Sequence, residues 1–289
     1  MTSPKRKILV QLDSDPQPSV FDAVTAIDAG VDHLLQYANV RIEDVRNLVY
    51  GVIFTRGIED LRSTAIFVGG SDVAAGEALF AEVRQTFFGP MRVSVMLDPN
   101  GANTTAAAAV LAAARHVSLA DATVLVLAAT GPVGRRVVHL LAGQGAVVRA
   151  GSRVAERAEA VCRAVAHRFP AAKLSAHSTG TPEATLAAAQ GAQVVIAAGA
   201  PGALLMTAAN RRQCRDLAVA VDLNAVPPAG LEGIDPRDQA VQRDGAICYG
   251  AIGIGGTKMK IHKAAIRAMF ESNDRVFDVD EIFALGRSL

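Results

Sequence analysis

Residues 123–153, TVLVLAATGPVGRRVVHLLAGQGAVVRAGSR, decide the fold of this chain. A short apolar run leads into a turn of small residues, an amphipathic segment follows, and a second apolar run ends at Gly151-Ser152-Arg153. This order of strand, turn, helix and strand is typical of the first half of a dinucleotide-binding fold. The stretch therefore predicts an α/β protein with a parallel sheet and a bound dinucleotide.

The turn carries Ala129, Gly131 and Gly134 where the dinucleotide fingerprint has three glycines. The first residue lets the chain turn sharply, the second lets the backbone approach a pyrophosphate, and the third lets the helix pack closely on the strand. Alanine at the first position adds one methyl group, which the turn tolerates. The turn residues are therefore predicted to bind the cofactor: Ala129, Thr130, Gly131, Pro132, Val133 and Gly134.

The end of the second strand indicates which dinucleotide binds. An NAD-selective site places an acid about 20 residues after the glycines, where it accepts hydrogen bonds from the ribose 2′-hydroxyl. Here Ser152 and Arg153 occupy that position, and the nearest acid, Glu156, comes after them. Because a hydroxyl and a guanidinium suit a 2′-phosphate, the sequence favours NADP over NAD. The alternative is a turn in which Arg153 only caps the chain or is solvated.

The composition is that of a globular protein large enough for two domains. The chain has 289 residues, of which 51% are hydrophobic, and its formal net charge is +1. This balance, with no Trp and three Tyr, gives no indication of a nucleic-acid partner. Three cysteines without metal-like spacing predict a reduced compartment and no metal site. No apolar run resembles a signal peptide or a membrane span, so we expect a cytoplasmic location without membrane contact.

Alternating strand-like and helix-like segments predict parallel βα units. Strands are predicted at 7–13, 51–55, 65–70, 92–98, 123–128, 146–150, around 173–176, 193–197 and 218–222. The end of the chain is predicted to form two short helices, and a helix after a complete nucleotide sheet often returns to the first domain. We therefore expect a first α/β domain of residues 1–119 plus 258–289 and a Rossmann-type domain of residues 120–257.

One loop that follows a predicted strand holds polar residues suited to binding. It covers residues 98–105 and includes Asp98, Asn103 and Thr104. Ligands of α/β sheets bind in the crevice beyond the carboxyl ends of the strands, which makes these side chains candidates for a substrate site. Asn103 or Thr104 would equally cap the helix that follows, and the two interpretations are compatible.

Two later segments also hold candidate residues. The loop at 222–230 joins Asp222 and Asn224 to a double proline, which predicts a rigid loop near a nicotinamide or, alternatively, an ordinary turn with Asx hydrogen bonds. The glycine-rich segment at 250–256 allows close backbone approach to a ligand. Lys258 stands where these glycines meet a helix and is the most plausible functional lysine, with a solvated surface lysine as the alternative.

The histidines give no catalytic pattern. Five of them are isolated in the sequence and form no acid–histidine–nucleophile arrangement: His33, His116, His139, His167 and His177. The residues therefore give no indication of the acid/base groups that a hydrolase or an alcohol dehydrogenase uses.

Six segments have long and distinctive sequences: PSVFDAVTAIDAGVDHL (18–34), STAIFVGGSDVAAGE (63–77), FFGPMRVSVMLDPNGANTTAAA (87–108), ATGPVG (129–134), VDLNAVPPAGLEGID (221–235) and YGAIGIGGTKMKIHKA (249–264). On these segments the chain resembles the NADP-dependent methylene-tetrahydromethanopterin dehydrogenases of methylotrophic bacteria over nearly its whole length. The resemblance implies an N-terminal α/β pterin-side domain, a Rossmann NADP domain and an active site in the cleft between them. It also implies a homo-oligomer, either a trimer or a multiple of one.

The resemblance implies a reaction of one-carbon (formaldehyde) metabolism. A hydride moves from the methylene carbon of 5,10-methylene-tetrahydromethanopterin to NADP⁺ and leaves the 5,10-methenyl form. The carbon lies between two nitrogens whose lone pairs expel the hydride, so no base is required. This fits the missing acid/base pattern, because the protein has only to position two rings and to supply suitable electrostatics.

The resemblance also implies roles for individual residues. Lys258 and Asp98 are implied as catalytic, and a cation beside a forming cation requires a carboxylate partner such as Asp13, Asp22 or Asp98. The substrate-binding set is Asp13, Asp22, Asn103, Thr104 and Gly255. The cofactor-binding set adds six residues to those of the turn: Ser152, Arg153, Ala198, Gly199, Asp222 and Asn224.

Three other functions stay open at this point. The first is a tetrahydrofolate-specific dehydrogenase, with or without cyclohydrolase activity, because the tails of both pterins attract Arg and Lys. The second is an NADP-binding sensor without catalysis. The third, a shikimate-dehydrogenase-like oxidoreductase, should show a catalytic Lys–Asp pair in the first domain. It is disfavoured because residues 1–119 hold just two lysines: Lys5 precedes the first predicted strand and Lys7 begins it.

Overall fold

Two sheets organise the part of the chain that the computed structural model describes, residues 5–289. The strands are β1 (Ile8–Leu12), β2 (His33–Tyr37), β3 (Thr64–Val68), β4 (Ser94–Leu97), β5 (Thr123–Leu127), β6 (Val147–Ser152), β7 (Lys173–Ser178), β8 (Val194–Ala197), β9 (Val219–Asp222), β10 (Gln239–Arg243), β11 (Ala246–Tyr249) and β12 (Val276–Phe277). The α-helices are α1 (Val20–Asp28), α2 (Ile42–Ile53), α3 (Val73–Thr86), α4 (Ala102–Ala114), α5 (Pro132–Gly143), α6 (Ala155–Arg168), α7 (Pro182–Ala189), α8 (Ala208–Arg212), α9 (Gly255–Ala268) and α10 (Val279–Arg287).

The N-terminal sheet has the order β12-β4-β3-β1-β2 and is parallel throughout. Strands β1, β3 and β4 are short, mostly apolar runs whose side chains join a buried cluster with α2 and α3, including Leu12, Ile53, Phe80 and Leu97. Because the strands are parallel, the carboxyl ends of the neighbouring strands β1, β3 and β4 lie side by side at one edge. That edge is where ligands of α/β sheets bind.

The second sheet has the order β10-β11-β9-β8-β5-β6-β7, and only the edge strand β10 is antiparallel to its neighbour. From the β7 edge inward, the strands lie in the order β7-β6-β5-β8-β9. Numbered along the chain from β5, this order is 3-2-1-4-5. This is the Rossmann order, and the direction of winding reverses between β5 and β8. The predicted α/β class with a parallel, Rossmann-type sheet is confirmed.

The chain divides into two compact units. The first comprises the chain up to Thr104 together with Met259–Leu289, and the second is Thr105–Lys258. The divisions fall within α4 and α9, whereas the predicted domain boundaries follow residues 119 and 257. Residues 1–4, with which the predicted first domain begins, lie outside the described residues.

The predicted strand at 51–55 is wrong, because these residues include the last turn of α2. The helix buries Val45, Val49 and Val52, a helical spacing that a short apolar run conceals. The edge strands β2 and β10 have largely exposed side chains and therefore lack the apolar run that marks a buried strand. Within residues 5–289, no helix combines the length and the apolar character needed to cross a membrane.

Candidate functional site

The turn after β5 carries the backbone groups that a pyrophosphate needs. Ala128 takes a left-handed conformation with φ of 55°, which costs an L-residue about 1–2 kcal/mol. The sharp bend therefore falls one residue before Ala129, the alanine that replaces the first glycine. Gly131 caps α5, and Pro132 begins the helix without an N–H of its own. The remaining N–H groups of the first turn of α5 are suited to an anion.

The two glycines of this turn are required for different reasons, one for packing and one for ligand approach. A Cβ on Gly134 would overlap the carbonyl oxygen of Ala128 and lie 2.8 Å from the Cα of Ala129, so glycine there lets α5 pack on β5. A Cβ on Gly131 would meet the protein only at ordinary distances, 3.6 Å from the oxygen of Ala128 and 3.7 Å from that of Ala198. The bare backbone at Gly131 therefore matters for a ligand rather than for packing, which fits a dinucleotide.

The other predicted cofactor residues follow neighbouring strands of the same sheet. Ser152 ends β6 and is buried, and Arg153 after it is exposed. Ala198 and Gly199 follow β8, and the Ala198 N–H donates to the Leu127 carbonyl over 3.0 Å. The structure thus brings these residues to the adjacent carboxyl ends of β5, β6 and β8. Their contact with a cofactor stays a prediction.

Asp222 and Asn224 brace the loop after β9. The Asp222 carboxylate accepts the N–H groups of Asn224 and Leu231, each over 3.0 Å, and the Asn224 amide donates to the Pro228 carbonyl over 2.9 Å. Burial raises the pKa of Asp222, and the backbone N–H groups lower it in part. These contacts support the Asx-turn interpretation. The loop would therefore act at the nicotinamide through its backbone shape rather than through these two side chains.

Two residues predicted to bind substrate, Asp13 and Asp22, and the predicted catalytic residue Asp98 converge at one edge of the N-terminal sheet. Asp13 follows β1, Asp98 follows β4, and Asp22 lies in the first turn of α1. A Cβ built on Gly69, directly after β3, would lie 3.4 Å from an Asp22 oxygen and 3.5 Å from an Asp13 oxygen. The two carboxylates therefore meet over the bare backbone of Gly69, and negative charge is concentrated at the carboxyl ends of the strands.

Asp98 holds the start of α4. One carboxylate oxygen accepts the N–H groups of Asn103 (2.9 Å) and Thr104 (3.1 Å), and the other accepts the Thr104 hydroxyl (2.7 Å). The Asn103 amide donates to the Leu97 carbonyl over 2.6 Å. Asp98, Asn103 and Thr104 are fully buried. These contacts support the capping interpretation, and through them Asp98 fixes the buried part of the cluster.

His262 is missing from the predicted site. It is fully buried, and its Nδ1 lies 3.4 Å from a carboxylate oxygen of Asp98. Its ring centroid lies 6.3 Å from that of Phe21, edge-on, and 5.6 Å from that of Phe67. A helical count could have found it, because it shares the buried face of α9 with Ile266 one turn later. An imidazole at such a position needs a polar partner.

Asp22 is the least buried member of this cluster. Asp13, Asp98 and His262 are fully buried, whereas Asp22 is partly exposed. Burial raises the pKa of Asp22 to about 6; His262 lowers it, and the carboxylates of Asp98 and Asp13 raise it. These directions follow from the cost of burying a charge and from like-charge repulsion. Asp22 therefore changes its charge just below neutral pH.

Lys258 and Gly255 both lie in the first turn of α9, which begins at Gly255. The glycine-rich segment therefore ends inside the helix rather than before it. Lys258 is partly buried and precedes His262 by four residues, so both project from one face of α9. Within residues 5–289, no group of acids, histidines and cysteines is arranged to hold a metal ion.

Known proteins resemble this chain along its length. The family model for the N-terminal domain of methylene-tetrahydromethanopterin dehydrogenase matches residues 20–100. The bifunctional protein MdtA of Methylorubrum extorquens is 44% identical over 286 residues, which cover 98% of this chain and 99% of the relative. The NAD(P)-dependent methylenetetrahydromethanopterin dehydrogenase of the same organism is 31% identical over 278 residues, which cover 93% of each chain.

Solved structures of dehydrogenases share the fold. Quinate dehydrogenase from Corynebacterium glutamicum, in complex with NAD, superposes with a TM-score of 0.54 at 12% identity, covering 98% of this chain and 99% of that one. A similarity at this level of identity supports the α/β fold with its Rossmann-type sheet and carries no information about the substrate.

Proposed function

Because this chain belongs to the methylene-tetrahydromethanopterin dehydrogenase family, we propose that it oxidises 5,10-methylene-tetrahydromethanopterin to the 5,10-methenyl form with a nicotinamide cofactor. The observation that carries the proposal is the similarity to two relatives over nearly the whole chain. The predicted cofactor residues follow parallel strands at their carboxyl ends, and so do Asp13 and Asp98 in the N-terminal sheet. This supports the proposal because α/β proteins bind ligands there.

NADP⁺ is the proposed cofactor, and when bound it supplies the acceptor for the hydride. The backbone at Gly131 and the first turn of α5 would hold its pyrophosphate. Ser152 and Arg153 would bind the 2′-phosphate, with the guanidinium of Arg153 as a planar, charged donor. The end of β6 lacks the acid that an NAD-selective site uses, which supports NADP over NAD.

The proposed reaction needs no general base. The methylene carbon loses a hydride with its electron pair, and the lone pairs of the two flanking nitrogens delocalise the positive charge that remains. The protein has therefore to position this carbon within reach of the acceptor and to favour the developing charge. The carboxylates of Asp13, Asp22 and Asp98 would supply a negative field, and Lys258 would orient the substrate through a charged hydrogen bond.

The pterin tail and the assembly are finer parts of the proposal. Tetrahydromethanopterin is the proposed substrate, tetrahydrofolate is the alternative, and a cytoplasmic homo-oligomer of three subunits or a multiple of three is the proposed assembly. The sedimentation coefficient of the purified protein at micromolar concentration tests the assembly directly.

A spectrophotometric assay tests the function. We expect turnover of methylene-tetrahydromethanopterin with NADP⁺ and a lower kcat/KM with NAD⁺, followed by absorbance of the reduced nicotinamide. Methylene-tetrahydrofolate is assayed in parallel, and a higher kcat/KM with that substrate would favour the alternative. No turnover of either pterin would exclude the enzymatic function and leave an NADP-binding sensor. Equal rates with NAD⁺ and NADP⁺ would contradict the role of Ser152 and Arg153.

We expect Lys258→Ala to lower kcat/KM for the methylene-pterin about tenfold, because a charged hydrogen bond to substrate contributes about 1.5–3 kcal/mol. Lys260→Ala is the matched control, since Lys260 is exposed on the same helix. Steady-state kinetics with saturating NADP⁺ measure the effect. A Lys258→Ala value within about threefold of wild type would contradict the assigned role.

A further inference from the structure

The buried cluster at the N-terminal sheet combines three carboxyl groups with one imidazole. Two of the carboxylates are already occupied by the chain itself. Asp13 accepts the N–H groups of Asp15 (2.9 Å) and Ser19 (3.2 Å) and the side-chain amide of Gln11 (3.3 Å). Asp98 accepts three hydrogen bonds from the start of α4. The third carboxyl group, that of Asp22, is partly exposed. It can therefore contact a ligand without any rearrangement of the chain.

The surroundings of Asp22 suit a ring system. Phe21, which precedes Asp22 on α1, is 50% exposed, although it is a large apolar residue. Phe21 also packs edge-on against His262, so this apolar surface lies directly beside the buried charges. A flat, largely apolar ligand that carries a positive charge would satisfy both parts of such a surface.

We propose that Asp22 is the counter-ion of the methenyl product, and that His262, held beside Asp98, is the positioning residue behind it. This inference rests on the proposed function. In the reaction, the C–H bond of the methylene group breaks and its electron pair leaves with the hydride for NADP⁺. The neutral N–CH₂–N unit becomes an N–CH–N cation, and the carboxylate of Asp22 lies against that cation.

The charge of Asp22 links this role to pH. Burial raises the pKa of Asp22 to about 6, the carboxylates of Asp98 and Asp13 raise it, and His262 and the Ser19 hydroxyl lower it. As pH rises through about 6, Asp22 loses its proton and the methenyl cation gains a partner. Affinity for the methenyl form should therefore rise across this range, whereas affinity for the neutral methylene form should not.

His262 controls whether that carboxylate is available. It is fully buried and contacts the rings of Phe21 and Phe67, and its Nδ1 lies 3.4 Å from a carboxylate oxygen of Asp98. Its electrostatic effect lowers the pKa of Asp22. Without the imidazole, the carboxylates of Asp13 and Asp98 would act on Asp22 with no positive group to offset them. The pKa of Asp22 would then rise, and Asp22 would keep its proton to a higher pH.

Binding of the two pterin forms to the enzyme without cofactor tests the Asp22 role. We expect Asp22→Asn to weaken binding of the methenyl form about tenfold at pH 7.5, with the methylene form within about twofold, because only the cation loses a charged partner. Asp28→Asn is the matched control, since Asp28 also lies on α1 and contacts α9 through Lys263 over 2.7 Å. It should bind both forms as the wild type does.

A second variant tests His262. We expect His262→Gln to move the midpoint of the pH dependence of methenyl binding upward from about 6, whereas Asp22→Asn should abolish that dependence. A His262→Gln protein with lower stability but an unchanged midpoint would show a purely structural imidazole and overturn its positioning role. If the wild type turns over a methylene-pterin but Asp22→Asn binds the methenyl form as tightly as the wild type does, the counter-ion role of Asp22 is overturned and the proposed function is kept. If the wild type turns over neither methylene-pterin, both the proposed function and the counter-ion role of Asp22 are overturned.

Discussion

An Asp98→Asn variant will lose about 3 kcal/mol of its free energy of unfolding. The carboxylate accepts three hydrogen bonds from Asn103 and Thr104 and lies 3.4 Å from His262. An amide would turn one acceptor into a donor that faces either the Thr104 hydroxyl or the backbone N–H groups, and it would remove the charge beside the imidazole. All four side chains are fully buried, so water cannot replace the lost contacts.

The control for this variant is Asp72→Asn. Asp72 also accepts two backbone N–H groups at a helix start, from Ala74 (2.9 Å) and Ala75 (3.1 Å), but it is exposed. Because Asn caps a helix about as well as Asp, we expect its stability to stay within about 0.5 kcal/mol of wild type. Urea unfolding measures the loss of unfolding free energy in both variants. Hydrogen exchange at the Asn103 and Thr104 amides shows whether the loss in Asp98→Asn is located at the start of α4. Equal losses would contradict the role of Asp98 as the anchor of α4.

The fold could be predicted from the sequence where strands are buried on both faces. β5 and β8 are continuous apolar runs with buried side chains, and such runs need no tertiary information to be recognised. The signal fails at the edge of the sheet. β2 is mostly exposed, and the apolar end of α2 has the composition of a strand but the buried spacing of a helix.

The candidate site could be predicted only in part, because its chemistry depends on contacts between distant segments. The resemblance pointed to Asp13, Asp22 and Asp98, but their sequence positions do not reveal which carboxylates the chain itself occupies. That depends on the loops after β1 and β4. His262 stands among lysines in the sequence and becomes informative only when α9 buries it beside Asp98. Burial and partner, rather than residue type, distinguish it from a surface histidine.

The largest kinetic effect we expect is on the cofactor. Arg153→Ala should raise KM for NADP⁺ about 100-fold, because a charged hydrogen bond to a phosphate contributes up to about 3 kcal/mol and each 1.4 kcal/mol is tenfold. KM for NAD⁺ should change less than about threefold, since the ribose 2′-hydroxyl offers the guanidinium no charge to bind. The ratio of the two kcat/KM values measures the effect and cancels any general loss of activity.

Two further variants decide whether this effect belongs to the phosphate. Arg163→Ala is the matched control: Arg163 is an exposed arginine on α6 that pairs with Glu159 over 3.6 Å, and its removal should leave both KM values unchanged. Arg153→Lys should recover only part of the NADP⁺ affinity, because an ammonium keeps the charge but loses the planar pair of donors. Equal losses with NADP⁺ and NAD⁺ in Arg153→Ala would mean that the residue supports the end of β6. The preference for NADP would then have to come from another part of the Rossmann-type unit.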